Sequence, residues 1–171
     1  MRATRLSLLV FGLVAFLSAP TWAVCTFGTN GNDIMTGTAG ADCLDGNPGN
    51  DIIYGLGGND GLNGYTGDDD IYGGDGNDSI GGCGCFGVSG HSDADYVEGG
   101  EGDDYIDGDE DNDRLHGNGG VDEIWGEFGD DRIYGEDGND TLRGGNDTDF
   151  IDGGAGTADF CDAETEVNCE L

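Results

Sequence analysis

The strongest constraint on the fold of this chain is an aspartate that recurs every nine residues, in two blocks separated by one interruption. An aliphatic side chain follows each aspartate by two residues, and a glycine precedes it by five. We number the repeat so that this glycine is position one, the aspartate position six and the aliphatic residue position eight. Three fixed columns over thirteen repeats favour a stacked repeat protein over a Gly/Asp-rich tract without structure.

Positions six, eight and four define the repeat. The aspartates at position six are Asp33, Asp42, Asp51, Asp60, Asp69, Asp78, Asp95, Asp104, Asp113, Asp122, Asp131, Asp140 and Asp149. The side chains at position eight are Met35, Leu44, Ile53, Leu62, Ile71, Ile80, Val97, Ile106, Leu115, Ile124, Ile133, Leu142 and Ile151. Position four is glycine in ten repeats and aspartate in three, namely Asp93, Asp111 and Asp147. Glycine at positions one and four predicts backbone conformations that other residues avoid.

The period of nine predicts an all-β, parallel β-roll, a solenoid with two repeats per turn. Positions seven to nine form a short strand, and a coil of two strands and two turns closes after eighteen residues. Residues eighteen apart then lie on neighbouring rungs, about 4.8 Å apart. The aliphatic column faces inward, while the aspartates and loop carbonyls line both edges. Such hard oxygen donors suit Ca²⁺ better than Mg²⁺, which demands a strict octahedron.

The stretch Gly73–Gly81, Gly-Gly-Asp-Gly-Asn-Asp-Ser-Ile-Gly, resembles the RTX (hemolysin-type) calcium-binding nonapeptide repeat. This resemblance implies that each ion lies between the turns of repeats n and n+2. It implies that the thirteen position-six aspartates and the loop carbonyls are the ligands, and the two blocks then allow roughly nine Ca²⁺ ions. The position-four glycines that we assign as carbonyl ligands are Gly31, Gly49, Gly58, Gly67, Gly76, Gly102, Gly120, Gly129 and Gly138. The asparagines at position five are interpreted as turn formers first and ligands second.

The charge of the chain narrows the choice of partners. The sequence has 37 acidic residues against five Lys and Arg, for a net charge of −32. This charge repels nucleic acid and anionic membranes but attracts calcium ions. Because the stacked carboxylates also repel one another, we expect the chain to be largely unfolded without a bound cation.

The first 23 residues predict a signal peptide and therefore a secreted, extracellular protein. Arg2 and Arg5 precede a short apolar run, and Thr21-Trp22-Ala23 forms a small-x-small cleavage site. Members of the RTX family typically use type I export instead, so this leader departs from their pattern. No later segment is apolar enough to insert in a membrane. The predicted domains are the signal peptide 1–23, the roll 24–157, interrupted at 82–89, and a disulfide-closed C-terminal cap 158–171.

The cysteines and the interruption leave some alternatives open. Cys25 and Cys43 are eighteen residues apart at position seven and should pair, and Cys161 and Cys169 share the tail and should also pair. The remaining two cysteines are paired with each other by exclusion. The alternative is a thiolate metal site that these two cysteines form with His91. The interruption either replaces a rung strand or protrudes from an edge. The cysteines left for this third pair are Cys83 and Cys85.

Nothing in the sequence supports catalysis, since the chain is almost entirely repeat after its leader. We therefore expect a non-catalytic calcium-binding protein. Two alternatives remain: a calcium-rigidified adhesin or matrix protein, and an accessory subunit of a secreted hydrolase. Trp125 and the tyrosines at position nine could face a carbohydrate or cell-surface partner, although scattered exposed aromatic residues are ordinary. Arg114 and Arg132 should stack on one outer face, held by neighbouring carboxylates.

Overall fold

A computed structural model of the chain describes residues 25–81 and 94–169. These residues form two parallel eight-stranded sheets that face each other, with no helix in either range. The predicted signal peptide and the predicted Cys83–Cys85 pair therefore fall outside the described residues. Within those residues, nothing forms a helix that is long and apolar enough to cross a membrane.

Successive strands alternate between the two sheets, as a coil of two repeats per turn requires. Sheet A contains, in spatial order, β1 (Thr26–Phe27), β3 (Cys43–Asp45), β5 (Gly61–Asn63), β7 (Ser79–Ile80), β9 (Tyr105–Asp107), β11 (Glu123–Phe128), β13 (Thr141–Asn146) and β15 (Phe160–Asp162). Sheet B contains β2 (Ile34–Thr36), β4 (Ile52–Gly57), β6 (Asp70–Asp75), β8 (Tyr96–Glu101), β10 (Arg114–Gly120), β12 (Arg132–Gly138), β14 (Phe150–Asp152) and β16 (Thr165–Val167). The protein is thus an all-β parallel solenoid of about seven turns, and the predicted β-roll is confirmed.

The core is the predicted aliphatic column. All thirteen position-eight side chains are buried in one cluster, and the most exposed of them, Met35, has only 7% of its surface accessible. Register confirms the spacing of eighteen, since Met35 lies beside Ile53 and Leu115 lies beside Ile133. Because each rung adds two aliphatic residues to a continuous column, a single repeat has no core of its own and depends on its neighbours.

The stack continues without a break across the interruption. Asp70 of β6 pairs with Tyr96 of β8, and Ser79 of β7 pairs with Tyr105 of β9, in both cases across 26 residues rather than eighteen. The two strands before the interruption, β6 and β7, therefore pair directly with β8 and β9, and the interruption replaces no strand of a rung. The later repeats can now be assigned to a sheet, which the sequence alone left open.

The ends of the roll differ in how they are closed. Both predicted disulfides form: Cys25–Cys43 links the first two rungs of sheet A, and Cys161–Cys169 closes the tail. The tail also adds the last strand to each sheet, because β15 pairs with β13 and β16 pairs with β14. It is therefore part of the stack as well as its closure.

The outer face of sheet B carries a continuous aromatic ladder. Its neighbouring ring centroids are between 4.6 and 6.1 Å apart, and the rings run in the order Tyr54, Tyr72, Tyr96, His116, Tyr134 and Phe150. Arg114 lies over two of the rings and donates from Nε to His116 Nε2, so rings and an imidazole, rather than carboxylates, hold it. Trp125 lies on sheet A, so it does not share a surface with the position-nine tyrosines, which lie on sheet B.

Candidate metal sites at the turns

The position-six aspartates form two hydrogen-bonded columns, one along each edge of the roll. In each column the backbone N–H of one aspartate donates to Oδ1 of the aspartate on the next rung. The distance from Asp51 N to Asp69 Oδ1 is 2.7 Å, and that from Asp104 N to Asp122 Oδ1 is 2.9 Å. The columns cross the interruption, because Asp69 donates to Asp95 at 2.8 Å. One carboxylate oxygen of each aspartate therefore joins neighbouring turns.

The second carboxylate oxygen of most of these aspartates is buried and receives no hydrogen bond. Buried carboxylates normally have a donor, because removing their charge from water is costly. A column of such atoms therefore needs a cation or a proton to neutralise its charge. The aspartates with a buried Oδ2 that lacks a partner are Asp51, Asp60, Asp78, Asp104, Asp113, Asp122, Asp131, Asp140, Asp149 and Asp159.

Backbone carbonyls converge on the same oxygens. A Cβ placed on Gly46 would lie 2.2 Å from Asp51 Oδ2 and 2.7 Å from the carbonyl oxygen of Gly64 on the next rung. The same arrangement recurs at Gly126, whose Cβ would meet Asp131 Oδ2 at 2.2 Å and the Gly144 carbonyl at 2.6 Å. The missing side chain at position one thus leaves a small cradle of hard oxygens in each turn. The sequence reasoning missed these position-one carbonyls as candidate ligands.

The reason for glycine at position one differs from the expected one. The position-one glycines of the described repeats do not have φ in the left-handed region, so that expectation is wrong for position one. Left-handed backbone occurs instead at position two, in every described repeat from Asn47 onward, and at most position-four glycines. Position one therefore requires glycine because a Cβ would fill the oxygen cradle.

The position-four carbonyls are directed along the stack. A Cβ on Gly67 would lie 2.1 Å from the carbonyl oxygen of Gly49, one rung before. At the last turn a Cβ on Gly156 would lie 2.1 Å from the Gly138 carbonyl and 2.3 Å from Asp159 Oδ1. At this turn a position-four carbonyl and the Asp159 carboxylate therefore lie close together.

Two features of the site were absent from the sequence-based assignment. Asp159 continues the second column although the period has slipped by one residue, and it accepts the N–H of Asp140 at 3.1 Å. Glu164 closes the first column in the same way, by accepting the N–H of Asp149. Because the two blocks form one stack, the repeats on either side of the interruption also pair, which adds candidate sites to the nine expected from separate blocks.

Position five has its own ladder, which runs in the opposite direction. The N–H of Asp130 donates to Oδ1 of Asn112, one rung before, at 2.8 Å, and Thr148 donates to Asp130 in the same way. These side chains therefore stitch successive turns together, in addition to shaping each turn. The sequence signal for this contact is an Asn or Asp at position five, because its side-chain oxygen can accept the backbone N–H of the residue eighteen positions later.

The first rung is built differently from the others. Oδ2 of Asp33 accepts hydrogen bonds from the N–H and hydroxyl of Thr29, at 2.6 and 2.8 Å, and Thr38 does the same for Asp42. Thr29 and Thr38 occupy position two but lack the left-handed φ found there from Asn47 onward. Protein donors therefore already occupy the carboxylate oxygens that are left for a cation in later turns.

Electrostatics show why the later turns need a counter-charge. Burial, reinforced by neighbouring carboxylates, raises the pKa of Asp104 to about 7 and that of Asp113 to about 9. Desolvation likewise raises the pKa of Asp78, Asp122 and Asp131 to about 6, even though each accepts a backbone N–H that lowers it. At neutral pH a proton or a cation therefore stabilises these carboxylates in the fold.

The donor chemistry fits a calcium ion. Each turn offers carboxylate and carbonyl oxygens from two successive rungs, in flexible loops, which matches the six to eight oxygen ligands that Ca²⁺ takes. Within residues 25–81 and 94–169 no three His, Cys, Asp or Glu side chains converge on one point. The backbone carbonyls must therefore supply part of every site, as the glycine cradles allow.

Fold and site together define a class: a parallel β-solenoid with cation sites along its edges. Four successive stretches match the model of the RTX calcium-binding nonapeptide repeat, at residues 27–62, 61–82, 89–124 and 125–157. Because these matches cover most of the chain, the chain belongs to this family of calcium-binding repeats. No curated protein matches the chain significantly.

The raised pKa values predict an inverted pH dependence of the metal-free fold. A carboxyl group whose folded pKa exceeds its unfolded value of 3.8 binds more protons when folded, so the free energy of unfolding falls as pH rises. For Asp104 and Asp122 the stabilisation grows as pH falls through about 7 and 6, and it is complete near pH 4. Metal-free chain should therefore contain more β-structure at pH 5 than at pH 8, by far-UV circular dichroism.

A control for this experiment is protein concentration, because pH 5 is close to the isoelectric point of about 4.1. The gain in β-structure should be the same at high and low concentration. Loss of β-structure on acidification, as in ordinary acid denaturation, would contradict the burial of these carboxylates.

Proposed function

We propose that the protein is an exported, non-catalytic calcium-binding protein that folds when it meets millimolar extracellular calcium. The observation that carries this proposal is the pair of columns of buried Oδ2 atoms that lack a hydrogen-bond donor. Carboxylates in such positions oppose folding until a cation neutralises them. The repeats show that calcium is the family's ion, and the two disulfides fit an oxidising compartment.

Each segment of the chain is assigned a role in this proposed function. Residues 1–23 are the signal peptide, residues 24–157 the calcium-binding roll and residues 158–171 its disulfide-closed cap. The position-six aspartates supply carboxylate ligands, and the position-four glycines supply carbonyl ligands. We add the position-one carbonyls and Asp159 to this set because they line the same cradles.

Titration of the oxidised, leader-free chain with calcium, followed by far-UV circular dichroism, tests this function. We expect a cooperative transition from coil to β-structure with calcium and not with the same concentration of magnesium, which takes a stricter geometry. A chain that is already folded in chelator at pH 8 would show that core and disulfides suffice. A chain that stays unfolded at millimolar calcium would overturn the function altogether.

A second candidate is an adhesin or matrix protein in which calcium rigidifies a presented surface. The observation that favours it is a cluster on the outer face of sheet A, where the Arg143 guanidinium lies 4.3 Å from the centroid of Trp125 and 5.8 Å from that of Phe160. A cavity of about 240 Å³ opens beside this cluster. Glycan and cell-surface pull-down with Trp125→Ala as control separates this candidate from simple ion binding.

A further inference from the structure

The N-terminal end of the roll exposes an apolar surface and two strand edges. Phe27 in β1 and Ile34 in β2 have 63% and 75% of their surfaces accessible. They border an open cavity of about 430 Å³ that also reaches Met35 and Leu44 of the core column. Strands β1 and β2 each pair with only one strand among the described residues, so their outer edges remain available.

The two ends of the roll are not equivalent. At the C-terminal end strands β15 and β16 also pair with only one strand each, but the Cys161–Cys169 disulfide covers the core there, since both cysteines pack against it. At the other end Cys25 is tied to Cys43, which fixes the chain at the very start of the first rung. A solenoid needs cover over both terminal rungs. Once the proposed leader has been removed, the described chain supplies such cover at one end only.

The first rung is also the least charged part of the roll. Residues 25–42 contain two acidic residues, Asp33 and Asp42, whereas the eighteen residues 95–112 contain nine. Both carboxylates of the first rung already accept hydrogen bonds from Thr29 and Thr38. The repulsion that keeps such acidic chains apart is therefore weakest at this end.

We propose that the N-terminal end of the roll docks against the same end of a second copy of this chain, in a two-fold symmetric dimer. A two-fold axis normal to the sheets places β1 antiparallel to β1 of the partner and β2 antiparallel to β2 of the partner. Both pairs of edges then gain hydrogen bonds, and Phe27 and Ile34 of the two copies cover each other. Head-to-tail stacking is less favourable, because at the C-terminal end the Cys161–Cys169 disulfide already covers the core and residues 159–166 carry four carboxylates.

The proposal rests on the proposed function, since it requires calcium-folded chain without its leader. The probe is sedimentation velocity of residues 24–171 in saturating calcium, from about 1 to 100 µM, the range in which a small interface is expected to associate. Circular dichroism of the same samples separates the two ideas: unfolded samples contradict the function, whereas folded monomers at every concentration contradict only the dimer.

Two matched variants identify the end that associates. In the Ile34→Asp variant the two copies would bring like charges together at the interface, because Ile34 of each copy covers the other. The variant should raise the dimer dissociation constant on the order of a hundredfold. Phe160→Asp makes the same change at an exposed side chain of the C-terminal rung, and it should leave association unchanged. Both variants should retain the calcium-induced β-spectrum of the parent chain.

Three outcomes would overturn the proposal. The first is a folded monomer throughout the concentration range. The second is association that Phe160→Asp weakens, or oligomers that keep growing with concentration, because both indicate head-to-tail contact. The third is association that Ile34→Asp leaves unchanged, because the contact would then lie away from the N-terminal end.

Discussion

Replacement of Asp122 by asparagine is expected to have opposite effects on the stability of the roll with and without calcium. The Asp122 side chain is buried; its Oδ1 accepts the N–H of Asp104, and its Oδ2 has no donor. An asparagine can keep the first contact, but its amide group would take the place of a candidate calcium ligand. At a calcium concentration a hundredfold above the dissociation constant, each lost site should lower the free energy of unfolding by about 2.7 kcal/mol.

In chelator the same variant should be at least as folded as the parent chain at pH 8. Burial raises the pKa of Asp122 to about 6, so the native carboxylate opposes folding at that pH. A neutral amide removes this cost and can donate toward the Gly135 carbonyl, which lies 3.0 Å from the point where a Cβ on Gly117 would stand. The measurements are urea unfolding at fixed calcium and β-content in chelator.

Asp70→Asn is the matched control for this prediction. Asp70 is exposed on the outer face of strand β6, so the variant makes the same change of charge away from the turns. It should change neither measurement appreciably. Equal losses for both variants in calcium would show that net charge, and not ligation at Asp122, controls folding.

Much of this fold could be predicted from the sequence because every repeat places the same residue types at the same positions. The column from Met35 to Ile151 predicts the core, and the spacing of eighteen predicts both the parallel register and the Cys25–Cys43 disulfide. The paired cysteines of the tail were likewise predictable, since Cys161 and Cys169 have no other partner in that segment. Periodicity reports these features because each depends only on which residues lie on neighbouring rungs.

The features that the sequence did not reveal depend on distances rather than on periodicity. Whether the stack survives the interruption depends on whether β7 can reach β9 directly, and nothing in the composition of that segment decides this. Asp159 falls outside the strict period because it follows Asp140 by nineteen residues instead of eighteen, although one extra residue in a turn does not prevent its carboxylate from reaching Asp140. The aromatic ladder was similarly hidden, because Tyr96 and Phe150 occupy position seven while their neighbours occupy position nine.

Replacement of Gly46 by alanine is expected to be among the most damaging single-methyl changes in the roll. A Cβ there would stand 2.2 Å from Asp51 Oδ2 and 2.7 Å from the Gly64 carbonyl, well inside contact distance. The backbone at this position is not left-handed, so any cost comes from the methyl group alone. Overpacking of this kind costs about 1–3 kcal/mol in the free energy of unfolding, and loss of the oxygen cradle adds the energy of calcium binding at that turn.

Gly61→Ala separates this cause from a general intolerance of the repeat for side chains. Gly61 lies in strand β5 with nothing within 4 Å of the added Cβ and with φ outside the left-handed region. Alanine there should leave the free energy of unfolding unchanged or raise it by up to about 1 kcal/mol, because it restricts the unfolded chain. Urea unfolding in saturating calcium, together with the number of calcium ions bound at equilibrium, compares the two variants. If both variants bound calcium equally and unfolded at the same urea concentration, the cradle at position one would have no part in ion binding.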